Sequence, residues 1–196
     1  MTAAGPCRVL VLTGAAAPFS RTRTAAELVC REIAGTGSTS VLRDLAEHPL
    51  PLLHTEADGS ADLADLRAQA ECADGMVWVT PCYHGSYSAI LKNCLDHLRP
   101  QTLHGKPVGV VAVGASLTAV QASEHLRTVA RALGCVTAPT QVVVVHSGSS
   151  WEKDTDPRTD DRITRMIAEL HALAGATALL RRGAAMTDAL SSADRA

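Results

Sequence analysis

With 196 residues and a formal net charge of -2, the chain suits one domain that buries about 70% of its unfolded surface, enough core to fold without disulfides or a structural metal. The near-neutral charge, with arginines scattered rather than striped, excludes the electrostatic footprint of a nucleic-acid binder. Its six cysteines include no C-x-x-C pair and sit mostly in apolar segments, so a cytoplasmic protein is expected, with no signal peptide and no membrane span.

Residues 8–13 (RVLVLT) read as a first buried strand, closed by Gly14. After a loop with Pro18 and Phe19, Ser20 stands as a helix cap before an apolar face of Ala25, Leu28, Val29 and Ile33. Residues 40–45 form a shorter second strand. A connection rich in Pro and His (His48, Pro49, Pro51, His54) then reads as an irregular surface loop, and residues 61–73 as a second helix. The Val-dense run 76–80 is a third strand, stopped by Pro81 and emptied into a loop of hydroxyls, two tyrosines and a glycine. Ile90, Leu91, Cys94, Leu95 and Leu98 give the next helix a broad apolar arc ending before Pro100.

Residues 107–113 are a fourth strand with Gly114, Ala115 and Ser116 as its exit. A helix bearing Leu126, Val129, Ala130 and Leu133 stops at Gly134; residues 141–145 are a fifth strand, and 146–158 a polar loop. Ile163, Met166, Ile167, Leu170 and Ala174 mark the last clear amphipathic helix. Residues 1–175 then make a single domain, and 176–196 a tail that is partly helical or frayed.

Five strands alternating with helices predict an α/β three-layer sandwich, a five-stranded parallel sheet in the order 2-1-3-4-5. That order puts the switch point between strands one and three, so the loops after Thr13 and Thr80 flank one crevice. No G-x-x-x-x-G-K-[ST] and no G-x-G-x-x-G follows the first strand, and no acidic residue ends it. A nucleoside triphosphate cradle, a dinucleotide fingerprint and a phosphoacceptor site are therefore disfavoured. Ser20, Thr22 and Thr24, with Arg21 and Arg23 among them at a helix amino terminus, suit a phosphate monoester, or else Ser20 simply caps a solvated helix. In the second loop, Pro81 and Gly85 make a stiff turn whose backbone can face a planar ligand, with Tyr83 or Tyr87 against its edge or face. A flat ring with polar edges plus a phosphate points to FMN.

The run Thr80-Pro81-Cys82-Tyr83-His84-Gly85-Ser86-Tyr87-Ser88, continued to Asp96, resembles the T-P-x-Y-x-x-S-Y-x-x-x-L-K-x-x-L-D signature of the NADPH-dependent FMN reductase family. The similarity extends from Arg8 to about Ala174. It implies a flavodoxin-like fold and hydride transfer from NADPH or NADH to the flavin N5, with a flavin-dependent monooxygenase as a partner that takes the reduced flavin. Carried over, Ser20, Arg21 and Thr22 meet the FMN phosphate, Pro81, Cys82, Tyr83, His84 and Ser86 lie in the ring loop, and Gly114, Ala115 and Ser116 complete the pocket. The chain departs from the family pattern at Ala15, Ala16 and Ala17, where a serine and an arginine are usual; each lost charge-assisted bond is worth about 1.5–3 kcal/mol. The resemblance also implies a homodimer or homotetramer, and the apolar arc from Ile90 to Leu98 is wider than one sheet face needs.

The eight histidines show no H-x-x-x-H or H-E-x-x-H spacing, so no metal site is expected. Cys82 reads as a half-buried inert thiol. Gly114-Ala115-Ser116-Leu117-Thr118 half-matches a G-x-S-x-G elbow, but a serine hydrolase would need Asp154 or Asp156 with His171 on a helix face. The alternatives are a quinone or azo reductase with tightly held FMN, and a flavin-binding protein without turnover.

Overall fold

The computed structural model describes residues 5–53, 60–145 and 157–193, the last helix with side chains over 158–178. The elements are β1 (Arg8–Thr13), α1 (Arg21–Gly35), β2 (Thr39–Asp44), α2 (Ala61–Cys72), β3 (Gly75–Pro81), α3 (Ala89–Asp96), α4 (Pro100–Leu103), β4 (Pro107–Gly114), a 3-10 turn (Leu117–Ala119), α5 (Val120–Ala132), β5 (Val136–Thr137), β6 (Val142–Val145) and α6 (Pro157–Ala193). All strand pairs are parallel, in the order β2-β1-β3-β4-β5 with β6 also on β4.

Every position of β3 and β4 is buried, as a parallel sheet covered on both faces requires. Side chains of successive strand residues point to opposite faces, and the core divides accordingly. Leu10, Leu12, Met76, Trp78 and Val110 pack with Leu66 of α2, Leu91 and Leu95 of α3 and Leu126 of α5. Val9, Val11, Val77, Val79 and Val111 pack with Val29 and Ile33 of α1 and with Ile163, Met166 and Leu170 of α6. Each such fully buried side chain contributes roughly 1.5–3 kcal/mol.

The sheet has six strands, not the five expected. The fifth position is filled by two short pieces, Val136 and Thr137 pairing with Pro107 and Val108, and residues 142–145 pairing with 111–114. Pro139 falls between them and has no N–H for the ladder, which is the physical reason for the break. The helix after β3 closes at Asp96, and one turn, α4, starts at Pro100, where proline suits a first helical position. The last helix continues past Gly175 to Ala193. A glycine inside a helix costs only about 1 kcal/mol, and Ala, Leu, Arg and Met around it are good helix formers.

Two sequence expectations change meaning in the structure. Leu91, Cys94, Leu95 and Leu98 of the apolar arc are consumed by the chain's own core, which leaves Ile90 partly buried against it. The connection after β2 is pinned rather than loose: Asn93 Nδ2 donates to Pro51 O (2.9 Å), Leu53 N–H donates to Asn93 Oδ1 (3.1 Å), and His97 Nε2 bonds Pro51 O (2.8 Å). His54, His146, Trp151, Asp154 and Asp156 lie outside the described residues.

Candidate functional site

The carboxyl ends of β1, β3 and β4 lie side by side, so their three exit loops form one surface. The loop after β1 is anchored at its first residue: Gly14 N–H donates to Val79 O (2.9 Å), and Ser88 Oγ donates to Gly14 O (2.6 Å). A Cβ on Gly14 would stand 2.6 Å from Leu91 Cβ and 2.7 Å from Ser88 Oγ, so only glycine allows this approach. Beyond it, the N–H groups of Ala15, Ala16 and Ala17 find no carbonyl partner among the described residues. Phe19 is 92% exposed and held at φ 57, a strained setting for a bulky residue.

Ser20 caps α1, its Oγ accepting from Arg23 N–H (3.1 Å). The first turn of α1 contains no acidic residue, so nothing on the helix itself competes with an incoming anion for the positive end of its dipole. Arg21 is half-buried at the first helical position and Thr22 is buried. Arg23 has a different role from the one its sequence position suggested. Its guanidinium pairs with Glu27 on α1 (3.0 Å) and ties the helix to the end of β2 through Asp44 (2.9 Å) and Glu47, and the hydrogen bonds it donates to Glu27 and Glu47 hold its pKa above the ordinary arginine value.

The loop after β3 is built on a small hairpin. Tyr83 and Ser86 exchange both backbone hydrogen bonds (2.9 and 3.0 Å), with His84 at φ 51 and Gly85 at φ 78 between them. Two positive φ values in a two-residue reversal define a type I′ turn, for which glycine is favoured and histidine tolerated. The ends of the loop are stapled: Ser88 N–H donates to Thr80 Oγ1 (3.0 Å), and Ser88 Oγ accepts from Leu91 N–H (3.2 Å) to cap α3. Cys82 N–H donates to Val113 O (2.8 Å), fastening the loop to β4. From α5, His125 Nδ1 bonds Ser86 Oγ at 3.0 Å, and Gln121 lies under Gly85. Tyr83 is 52% exposed and presents its ring outward, whereas Tyr87 packs into the core and Trp78 is fully buried.

Gly114 ends β4 opposite Val145, and Ala115 and Ser116 follow it in an exposed turn. Ser116 Oγ bonds Thr118 Oγ1 (2.6 Å), while His171 Nε2 is buried on α6 without a partner among the described residues. The serine is thus engaged by a hydroxyl rather than a histidine, which counts against a hydrolase elbow. Burial pushes the thiols of Cys94 and Cys135 up to about 12, which makes them packing groups rather than nucleophiles. Among the described residues no cluster of three His, Cys, Asp or Glu side chains converges, and no helix is long and apolar enough to cross a membrane.

The structure therefore joins Pro81, Cys82, Tyr83, His84 and Ser86 into one rigid loop, locks that loop to Gly14, and sets Gly114, Ala115 and Ser116 beside it. Ser20, Arg21 and Thr22 form the start of α1 at the far end of the first loop. Residues overlooked from sequence are His125 and Gln121, which support the hairpin from a helix roughly forty positions away. No local signal marks them. Phe19, Leu52, Leu53, Tyr83, Leu117 and Val120 are large apolar side chains left exposed on the segments that follow β1, β2, β3 and β4. Free N–H groups, a helix amino end without acids and a rigid apolar-edged loop fit a flat ligand carrying a phosphate.

The model of the NADPH-dependent FMN reductase family matches residues 7–149. The FMN-dependent NADPH-azoreductase of Staphylococcus aureus is 30% identical over 167 residues, covering 82% of this chain and 89% of that protein. Among solved structures, an apo NADH:FMN oxidoreductase superposes with a TM-score of 0.72 at 24% identity, over 85% of this chain and 89% of the other. A flavodoxin, WrbA-like protein from Agrobacterium tumefaciens superposes with a TM-score of 0.57 at 18% identity, over 90% of this chain and 98% of the other. These two structural likenesses carry the fold.

Proposed function

The chain belongs to the NADPH-dependent FMN reductase family, and on that premise we propose that it is an NAD(P)H:FMN oxidoreductase with its flavin lying across the loops after β1, β3 and β4. One observation carries the placement: Ser88 Oγ, 2.6 Å from Gly14 O, clamps the first and second loops into a single frame. When bound, FMN supplies the ring that accepts a hydride from the nicotinamide, chemistry that belongs to the cofactor rather than to any side chain.

The chain's residues bind, orient and exclude water. The N–H groups of Ala15, Ala16 and Ala17 and the amino end of α1 hold the phosphate, with Ser20, Arg21 and Thr22 as its side-chain neighbours. Pro81 and Cys82 face the ring edge through their backbone. Tyr83, on a turn fixed by the Tyr83–Ser86 exchange and braced by His125, covers the ring's outer side. Gly114, Ala115 and Ser116 close the third side. No acid or base is needed at the reacting atom, so alignment of two rings does the work.

A second reading, a quinone or azo reductase that keeps FMN, is favoured by the azoreductase relative and by the exposed rings of Phe19 and Tyr83 on the first and second loops, which suit a flat aromatic acceptor. Membership of this family supports a homodimer or homotetramer as the working form. The six free cysteines support a cytoplasmic setting, and a sparse phosphate loop supports FMN that is released to a flavin-dependent monooxygenase. Steady-state oxidation of NADPH and NADH with FMN, FAD, riboflavin and a quinone tests the whole reading. Turnover with added FMN is expected. Protein that purifies yellow and turns over only with a quinone or azo dye would transfer the assignment to the second reading, and absence of NAD(P)H oxidation with every acceptor would end both.

A further inference from the structure

On the side of β4 away from β3, a cleft of about 580 Å³ opens between β6, the 3-10 turn and the first turns of α6. Its apolar side is Leu117, Val120 and Val143; its polar side is Arg158, Thr159 and Arg162. Leu117 is 75% exposed. Thr159 is 9% exposed, and its hydroxyl has no partner among the described residues. Arg158 and Arg162 are one turn apart on α6 and share a face.

Arg162 is held in place: its Nε (2.9 Å) and Nη2 both donate to Gln141 O. A guanidinium has five N–H donors, so three remain for a ligand and the fork is already oriented. Asp160 and Asp161 occupy the same stretch of α6 but do not line the cleft. Two guanidiniums, a hydroxyl and the positive end of a long helix suit a phosphate, and the apolar wall suits a flat base. The volume lies in the range of ordinary ligand pockets, about 300–1,000 Å³.

The cleft also connects to the flavin-side loops. Val143, on its wall, packs against Ala112, Ala119 and Ala122, the same cluster that Cys82 and Tyr87 of the ring loop pack against. We infer that this cleft takes the phosphorylated adenosine end of the nicotinamide nucleotide, with Arg158, Arg162 and Thr159 on a phosphate and Leu117 and Val120 against the base. The inference rests on the reading of the chain as an NAD(P)H:FMN oxidoreductase.

The test compares Arg158→Ala, Arg162→Lys and the double Arg158→Ala/Arg162→Ala protein with wild type, using calorimetric titration of NADP+ and separate KM values for NADPH, NADH and FMN. Arg158 is exposed, so its variant should fold. Arg158→Ala should weaken NADP+ by about tenfold and raise KM for NADPH similarly, with the FMN KM unchanged. Arg162→Lys should lose less than the alanine pair, and Arg131→Ala on the last turn of α5 should change nothing. A larger loss for NADPH than for NADH would identify the contacted group as the 2′-phosphate, and equal losses as the pyrophosphate. Unchanged NADP+ affinity in the double variant, with FMN reduction intact, would overturn the cleft assignment while sparing the activity. Arginine-dependent NADP+ binding by a protein that reduces no flavin would do the reverse.

Discussion

The loops after β1 and β3 flank the same crevice but are built in opposite ways. The β3 loop is held at every stage: Thr80 and Ser88 tie its ends, Tyr83 and Ser86 exchange two hydrogen bonds, Cys82 bonds β4, and His125 reaches it from α5. Among the described residues, the β1 loop is anchored at Gly14, then runs through three alanines, Pro18 and a strained phenylalanine before Ser20 caps α1. A ring needs a rigid, shaped surface, which side-chain braces supply. A phosphate needs N–H groups and positive charge, which a short backbone segment at a helix end supplies without many side chains. The ring arm is therefore over-determined, and the phosphate arm depends on few groups.

The largest effect is expected where the two arms meet. Gly14→Val would force methyl groups into Leu91 and Ser88 and break the Ser88–Gly14 bond. It should destabilise the fold by about 3 kcal/mol or more, read as a lower denaturant midpoint, and abolish FMN use. Next is Arg21→Ala on the lean arm. It should raise the apparent KM for FMN tenfold or more, about 1.5–3 kcal/mol, and leave riboflavin nearly unaffected. Equal responses of the two flavins would remove the phosphate from this loop. On the braced arm, Tyr83→Ala should weaken FMN and riboflavin alike by about 1–3 kcal/mol through lost ring contact. His84→Ala should matter less, because its imidazole lies on a turn whose backbone does the work; abolished turnover in His84→Ala with Tyr83→Ala intact would reverse those roles.

The smallest effect separates stability from flavin recognition. Burial lowers the pKa of His171 below 6.5, so the unfolded chain takes that proton first and stability falls as pH drops below that value toward the folded pKa. Burial would raise the Glu169 pKa, but the Thr140 N–H and hydroxyl, with Arg165, outweigh it and lower the value below 4.5. Its contribution is present above 4.5 and lost as pH falls through the folded pKa. Both groups sit on α6, so acid should reduce the denaturant midpoint in two steps; the ratio of FMN to riboflavin affinity should stay constant above about pH 7, where the phosphate monoester, with a second pKa of about 6, is fully ionised. His171→Gln should remove the upper step.

Much of this was legible in the chain because it is local. Val-rich runs without alternation marked β3 and β4, and Thr80 to Asp96 carried a loop pattern whose hydroxyls proved to be braces. The Val136–Thr137 strand was too short to signal itself, and its relation to β6 depends on pairing with β4. Arg23 looked like a phosphate ligand because Asp44 and Glu47, its partners, are two dozen residues away in sequence. Most of the apolar arc of α3 is taken up by the chain's own core, with Leu12, Leu45 and Trp78 in the same cluster, neighbours that helical periodicity does not show. His125 could not be found at all without the fold that brings α5 to Ser86.

The most direct test of the two-arm site is an equilibrium titration of the wild-type protein with FMN and with riboflavin, followed by quenching of flavin fluorescence. FMN should bind at least about tenfold more tightly than riboflavin, since the phosphate adds at least one charge-assisted contact worth about 1.5–3 kcal/mol. Equal affinities for the two flavins, or no quenching by either, would contradict it.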